Sequence, residues 1–150
     1  MERFLKLDFF KKHEGYGAIF LRLVIGTFII WGVQDNVLSH ERMKEFADFL
    51  AARGVPYPMF AAFLSVYTQL VCGLSILLGA GVRLTAIPFI INFVAAIIIA
   101  HLGDSFNGMF PALLMIAAGF FFLFHGAGKI SVDELLERRR RDTEAGAERL

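Results

Sequence analysis

The chain has 150 residues, with 15 Lys+Arg against 14 Asp+Glu for a formal net charge of +1, and 57% of it is hydrophobic. Its charges are segregated: no Asp, Glu, Lys or Arg occurs over 54–82, 84–103 or 105–128, runs of 29, 20 and 24 residues separated by Arg83 and Asp104. A water-soluble domain interleaves charge along every element, so this pattern excludes an ordinary soluble globule; the near-zero net charge without a basic stripe excludes nucleic-acid binding, and the single Cys72 excludes an intrachain disulfide and two-thiol redox chemistry.

The first segment, 1–14, mixes Phe4, Leu5, Leu7, Phe9 and Phe10 with lysines and suits a short helix at the cytoplasmic membrane interface. A first span is expected over 15–33. It carries Arg22 in its middle, and Gly-Val-Gln-Asp-Asn after Trp31 is unlike a cleavage site, so it reads as a retained helix rather than a signal peptide. Met43, Phe46, Phe49 and Leu50 then recur at helical spacing, which predicts an amphipathic outer helix over 40–53, closed by Gly54 and the Pro56/Pro58 break.

Further spans are expected over 58–78, 84–102 and 109–126, each near the roughly 20 residues needed to cross a hydrocarbon core. None alternates as a spanning strand would. Pro88 is expected to kink the third span, and Gly26, Gly73, Ala96 and Gly119 to let helices approach closely. A charged tail over 130–150 opens on Ser131 and Glu134, which have capping-box spacing; Arg138 to Arg141 reads as an anchor for anionic headgroups. The fold class is therefore all-α, a polytopic four-helix transmembrane bundle with short interfacial helices. Eleven basic residues fall on the side of the termini and the Arg83 turn, and three (Arg42, Lys44, Arg53) on the other. The positive-inside rule then puts both termini in the cytoplasm of a multi-pass protein of the bacterial inner membrane.

Polar side chains within spans are costly and so informative. At about 1.5 Å per residue, Arg22, Gln69 and Asn92 lie roughly 10, 13 and 12 Å from the cytoplasmic ends of three different helices. Two arrangements are open. In one, the three face inward as a shared layer, Arg22 donating to the amide oxygens of Gln69 and Asn92, with Tyr67 and Thr68 adding hydroxyls; Arg22, Gln69, Asn92 and Tyr67 are then the ligand-binding set. In the other, Arg22 snorkels to the headgroups and the amides serve as helix–helix contacts. His101 and His125 end their spans on opposite sides, and no His/Cys/carboxylate spacing suggests a metal site. His40, Asp35, His101 and Asp104 fall at the outer mouth and read as solvated loop polarity.

Several short stretches carry a resemblance in fixed order: Leu21-Arg22-Leu23 with Gly26; Arg53-Gly54-Val55-Pro56-Tyr57-Pro58; Gln69 to Gly73 through Leu77-Leu78-Gly79; Arg83; Ala100-His101; and Gly126-Ala127-Gly128-Lys129-Ile130-Ser131-Val132-Asp133. From about Phe20 to Leu135 the chain resembles the DoxX/DoxD family of small four-span bacterial membrane proteins. It departs in having Gln69 where relatives often carry glutamate, Met109-Phe110-Pro111 where they often have a further acid, and Trp31-Gly32-Val33-Gln34 in place of a His-Gly and Lys pattern. The resemblance implies a four-helix bundle and, in some members, association with sulfur or quinone redox systems.

With no nucleophile–base pair, metal set or phosphate-cradling loop in the sequence, the first reading is a non-catalytic accessory or scaffold subunit of a membrane complex, requiring no cofactor. A second is a quinone-interacting redox subunit using Arg22, Gln69 and Asn92. A third is a small-solute transporter. The expected surroundings are the lipid bilayer and, for a subunit, a protein partner or further copies of the chain.

Overall fold

A computed structural model describes residues 13–147. The interfacial segment expected over 1–14 lies almost wholly outside them. Helix α1 spans Gly17–Leu38, α2 His40–Ala52, α3 Pro58–Leu78, α4 Val82–Ala96, α5 Phe106–His125 and α6 Val132–Ala147. A π-helical turn, Ile97–His101, prolongs α4. Four of these stretches, Gly17–Leu38, Pro58–Leu78, Val82–His101 and Phe106–His125, are long and apolar enough to cross a membrane, and the described residues contain no strand.

The first helix runs on past Val33 through Gln34, Asp35 and Asn36, because polar residues without Gly or Pro end an apolar run but not a helix. It stops at Ser39, whose extended backbone and hydroxyl, accepting from the Arg42 N–H, start α2. Helix α4 continues through Pro88 without a break, and its change of pitch comes later, after Ala96. Short connections join antiparallel neighbours, and α1 packs on α3 while α4 packs on both α3 and α5.

Glycine permits two of the closest approaches. A Cβ on Gly26 would sit 2.9 Å from Leu77 Cβ and 3.1 Å from the Gly73 carbonyl, and one on Gly119 would lie 2.5 Å from Ile90 Cγ1. Small residues at helix crossings bring backbones within dispersion range, which drives association where lipid is as apolar as the protein.

The buried side chains form two clusters. One joins all four spans through Ile25, Ile76, Phe89, Met115 and Phe122. The other joins α1, α2 and α3 through Val33, Met43, Leu50, Ala62 and Val66. Helix α2 therefore lies on the bundle with Met43, Ala47 and Leu50 inward, while Glu41, Arg42, Lys44 and Glu45 stay exposed. The face carrying α2 is here called the lid end; the opposite face, with Gly15, the α3–α4 turn and the α5–α6 loop, is the clamped end.

Candidate functional site

Arg22 is 3% exposed. It does not meet Gln69 or Asn92. Its Nε donates to the Ile76 carbonyl at 2.8 Å, Nη2 to Leu77 at 3.0 Å, and Nη1 to Ala127 at 3.1 Å and Ile130 at 2.5 Å. The last carbonyls of a helix have no donor of their own and carry the negative end of its dipole. Arg22 satisfies two of them on α3 and turns both Nη1 hydrogens to the α5–α6 loop. A planar fork suits this divergence of acceptors better than a lysine ammonium. Because side chains lean toward the helix N-terminus, the guanidinium points toward the clamped end. It ends there on backbone, rather than on neighbouring amides or lipid headgroups.

The backbone around it is shaped by left-handed glycines. Gly79 has φ 72°, and a Cβ there would lie 2.5 Å from Arg22 Nη2. Gly128 has φ 78°, and a Cβ there would lie 2.7 Å from the Gly15 carbonyl, which accepts from the Lys129 N–H at 2.9 Å. Ser131 Oγ donates to the Gly128 carbonyl at 2.6 Å and accepts from the Glu134 N–H at 3.1 Å, so the serine half of the expected capping box is formed. The Glu134 carboxylate turns the other way, to Arg138 at 2.7 Å and Arg141 at 3.4 Å. These neighbours hold the Glu134 carboxyl below its ordinary pKa, the hydrogen bond from Arg138 contributing most.

Asp133, which the sequence marks only as the end of the 126–133 stretch, fastens three elements. Its carboxylate accepts from the Gly81 and Val82 N–H groups at 2.7 and 3.2 Å, capping α4 from the start of α6. Its own N–H donates to the Gly79 carbonyl at 3.0 Å. Adjacent to this lock lies a groove of about 590 Å³ whose wall carries Arg83 and Lys129 together with Asp133, Glu134 and Glu137.

The remaining sequence candidates lie elsewhere. Gln69 Nε2 donates to Ser65 Oγ at 3.2 Å, one turn back on α3. Tyr67 is 46% exposed and stacks on Phe63 with ring centroids 6.0 Å apart. Asn92 Nδ2 is buried and has no hydrogen-bond partner. The shared layer of Arg22, Gln69 and Asn92 is therefore not formed: the Arg22 guanidinium turns along the axis to backbone carbonyls at the clamped end, and Gln69 bonds Ser65 on its own helix.

Asn92 instead lines a cavity of about 390 Å³ between α2, α3 and α4, with Ser65 and Thr68 on the α3 side and Phe46 and Phe49 on the α2 side. At its lid end, Arg53 Nη1 donates to the Ile99 and Ala100 carbonyls at 3.0 and 2.7 Å, and its guanidinium lies 4.9 Å from the Phe49 ring centroid. Arg53 thus does for the end of the third span what Arg22 does for the second. His101 pairs with Asp104 at 2.9 Å, and among the described residues no three His, Cys, Asp or Glu side chains gather as a metal site. Cys72 is buried, its Sγ 3.3 Å from the Thr85 carbonyl.

Comparison with known proteins agrees with this layout. The family model described as DoxX matches residues 17–102, which include Arg22, Gln69, Asn92 and the lid helix. An uncharacterized membrane protein of Mycobacterium tuberculosis is 33% identical over 141 residues, covering 81% of this chain and 82% of that one. No solved structure matches.

Proposed function

The chain belongs to the DoxX family, and on that premise we propose that it is a non-catalytic accessory subunit of a bacterial inner-membrane complex, with its clamped end in the cytoplasm. The supporting observation is the state of Arg22. The Arg22 guanidinium commits four of its five N–H donors to backbone carbonyls, an arrangement that fixes helix ends rather than presenting the charge to a substrate. The excess of basic residues near the α3–α4 turn and in α6 supports the orientation.

The test is cross-linking in intact cells of an epitope-tagged chain expressed at native level. A heteromeric species of defined stoichiometry is expected, reduced by Arg22→Lys and lost with Arg22→Met as the clamped end loosens. Recovery of the chain solely as itself overturns the reading. Reporter fusions at residues 104 and 147 test the orientation, with the first expected outside and the second in the cytoplasm.

A second reading, a quinone-interacting subunit, is favoured by a different observation. Of the three polar residues, Asn92 lines an apolar cavity of about 390 Å³, and its buried Nδ2 has no hydrogen-bond partner. Arg22 has no part in this reading. Gln69 enters it through Ser65.

A further inference from the structure

The groove beside the Asp133 lock lies where two spans end. Arg83 is the second residue of the third span, Val82–His101, and Lys129 stands four residues beyond the end of the fourth, Phe106–His125. In a bilayer this is the level at which hydrocarbon gives way to headgroups. Leu84, 75% exposed, and the exposed Leu136 line the same groove, so apolar and cationic side chains meet at one opening.

Two of the three carboxylates in the wall are already engaged, and neither cation is. Asp133 accepts from the Gly81 and Val82 N–H groups, and Glu134 pairs with Arg138 and Arg141. Among the described residues Arg83 and Lys129 form no ion pair. Arg83 gives one donor, Nη2, to the Phe124 carbonyl at 3.4 Å, and it lies against Gly126, where a Cβ would come 3.0 Å from its Nε. The Lys129 stem crosses Gly15, where a Cβ would come 2.8 Å from its Cγ, and its Nζ sits 5.6 Å from the Tyr16 ring centroid. Glycine thus lets each stem rest on backbone, while both residues stay exposed. The remaining carboxylate, Glu137, is exposed and forms no ion pair among the described residues.

The run from Arg138 to Arg141, where the sequence places a headgroup anchor, is differently occupied. Three of its four members pair within α6, Arg138 and Arg141 with Glu134 and Arg140 with Glu144. Exposed pairs of this kind are weak, but each sets its arginine beside a carboxylate that an incoming anion would have to face.

We propose that the groove binds the phosphate of an anionic phospholipid, its oxygens held by the Arg83 guanidinium and the Lys129 ammonium and its acyl chains leaving past Leu84 into the bilayer. A guanidinium fork and a compact ammonium both suit a phosphate. Two unpaired cations against one exposed carboxylate leave a single positive excess, which one phosphodiester with an uncharged head neutralises. Bound there, the lipid ties the start of α4 to the α5–α6 loop, alongside the Asp133 cap. The proposal goes beyond the subunit reading and does not rest on it: a chain that binds no such lipid leaves the cross-linking outcome as it stands.

The experiment measures, by native mass spectrometry of the full delipidated chain, retention of dioleoylphosphatidylglycerol against dioleoylphosphatidylcholine. Wild type is expected to favour phosphatidylglycerol about thirtyfold, roughly fivefold for each basic residue. Arg83→Gln and Lys129→Gln should each remove about fivefold and the double variant nearly all, whereas Arg139→Gln, which deletes an exposed arginine outside the groove, should change nothing. Lys129 makes no side-chain hydrogen bond, so Lys129→Gln should melt with wild type and carries the test if Arg83→Gln folds poorly. Glu137→Gln should raise the preference about twofold, a gain that misfolding cannot produce. Equal retention of the two lipids by wild type would overturn the proposal. So would a loss in Arg139→Gln matching that in Lys129→Gln, which would mean attraction by net charge alone. Displacement of the lipid by millimolar inorganic phosphate or glycerol 3-phosphate would assign the groove to a soluble phosphate and overturn the lipid; retention of the lipid against both supports it.

Discussion

The two ends of the bundle solve one problem differently. At each, an arginine supplies donors to the carbonyls that end a membrane span. At the clamped end Arg22 reaches from inside the bundle, is 3% exposed and draws together α1, α3 and the α5–α6 loop through four bonds. At the lid end Arg53 reaches from outside, its bonds are exposed, and it holds α2 to the π-helical turn through two carbonyls of one segment. The first arrangement makes a fixed floor. The second ties down a roof whose inner face is buried through Met43, Ala47 and Leu50 but whose arginine bonds are exposed, and exposed hydrogen bonds open at lower free energy than buried ones.

The contrast is broken most directly at Arg22. Arg22→Met is expected to cost about 3 kcal/mol, four bonds at somewhat under 1 kcal/mol each in a membrane protein, read as a lowered midpoint in SDS-induced unfolding. Arg22→Lys should recover less than half, because an ammonium cannot reach all four diverging acceptors. A midpoint for Arg22→Met within experimental scatter of wild type would show the floor to be held by something else. Gly79→Ala comes next, at about 2 kcal/mol, since it combines a left-handed φ with overlap on the guanidinium; the same assay serves, and a neutral result would deny the close packing there.

Arg53→Gln is expected to cost about 1 kcal/mol or less globally. Hydrogen exchange should accelerate in 40–52 and 97–101 while 76–83 and 126–133 keep their protection. Equal acceleration at both ends would mean that floor and roof form one cooperative unit. The smallest effect concerns Glu134. Its folded pKa lies below that of the unfolded chain, so its contribution to α6 is complete above the ordinary carboxylate range, about pH 4.3, and is lost as pH falls through the folded value. Circular dichroism of the wild type should show slight helix loss in that acidic window, absent in Glu134→Gln; identical curves would remove the Arg138 contact from the account.

Much of this architecture is legible in the residues. Runs free of charge locate the spans, and the 43, 46, 50 spacing announces a helix with one apolar face. What Arg22 touches is not legible, because its partners are backbone carbonyls, and any residue supplies a carbonyl. The available signal was indirect: glycines at 79, 126 and 128, each beside a span end, mark where backbone turns left-handed and crowds something. Helical rise reports depth but not where a side chain turns, so three level polar residues suggest a layer that packing then disperses. Asp133 eluded pattern reading for a related reason. It caps a helix that begins 51 residues before it, whereas capping patterns are local. The Asn92 donor shows the converse, since an unmet hydrogen bond becomes visible only when every neighbour has a position.

The separation in sequence between Arg22 and its acceptors has a consequence for biogenesis. Two of those carbonyls lie 54 and 55 residues downstream, and the others 105 and 108. During synthesis the leading helix must therefore meet the translocon while its guanidinium has neither set of acceptors. An arginine at the centre of a lone helix opposes insertion by about 2.5–3.5 kcal/mol, and Arg22, the sixth residue of the 22 in α1, carries a smaller penalty of the same sign. The first acceptors arrive with the second span and the last with the loop beyond the fourth, so a nascent chain truncated before residue 76 should lose its first helix from the membrane, or be degraded, far more readily than one that includes the whole second span.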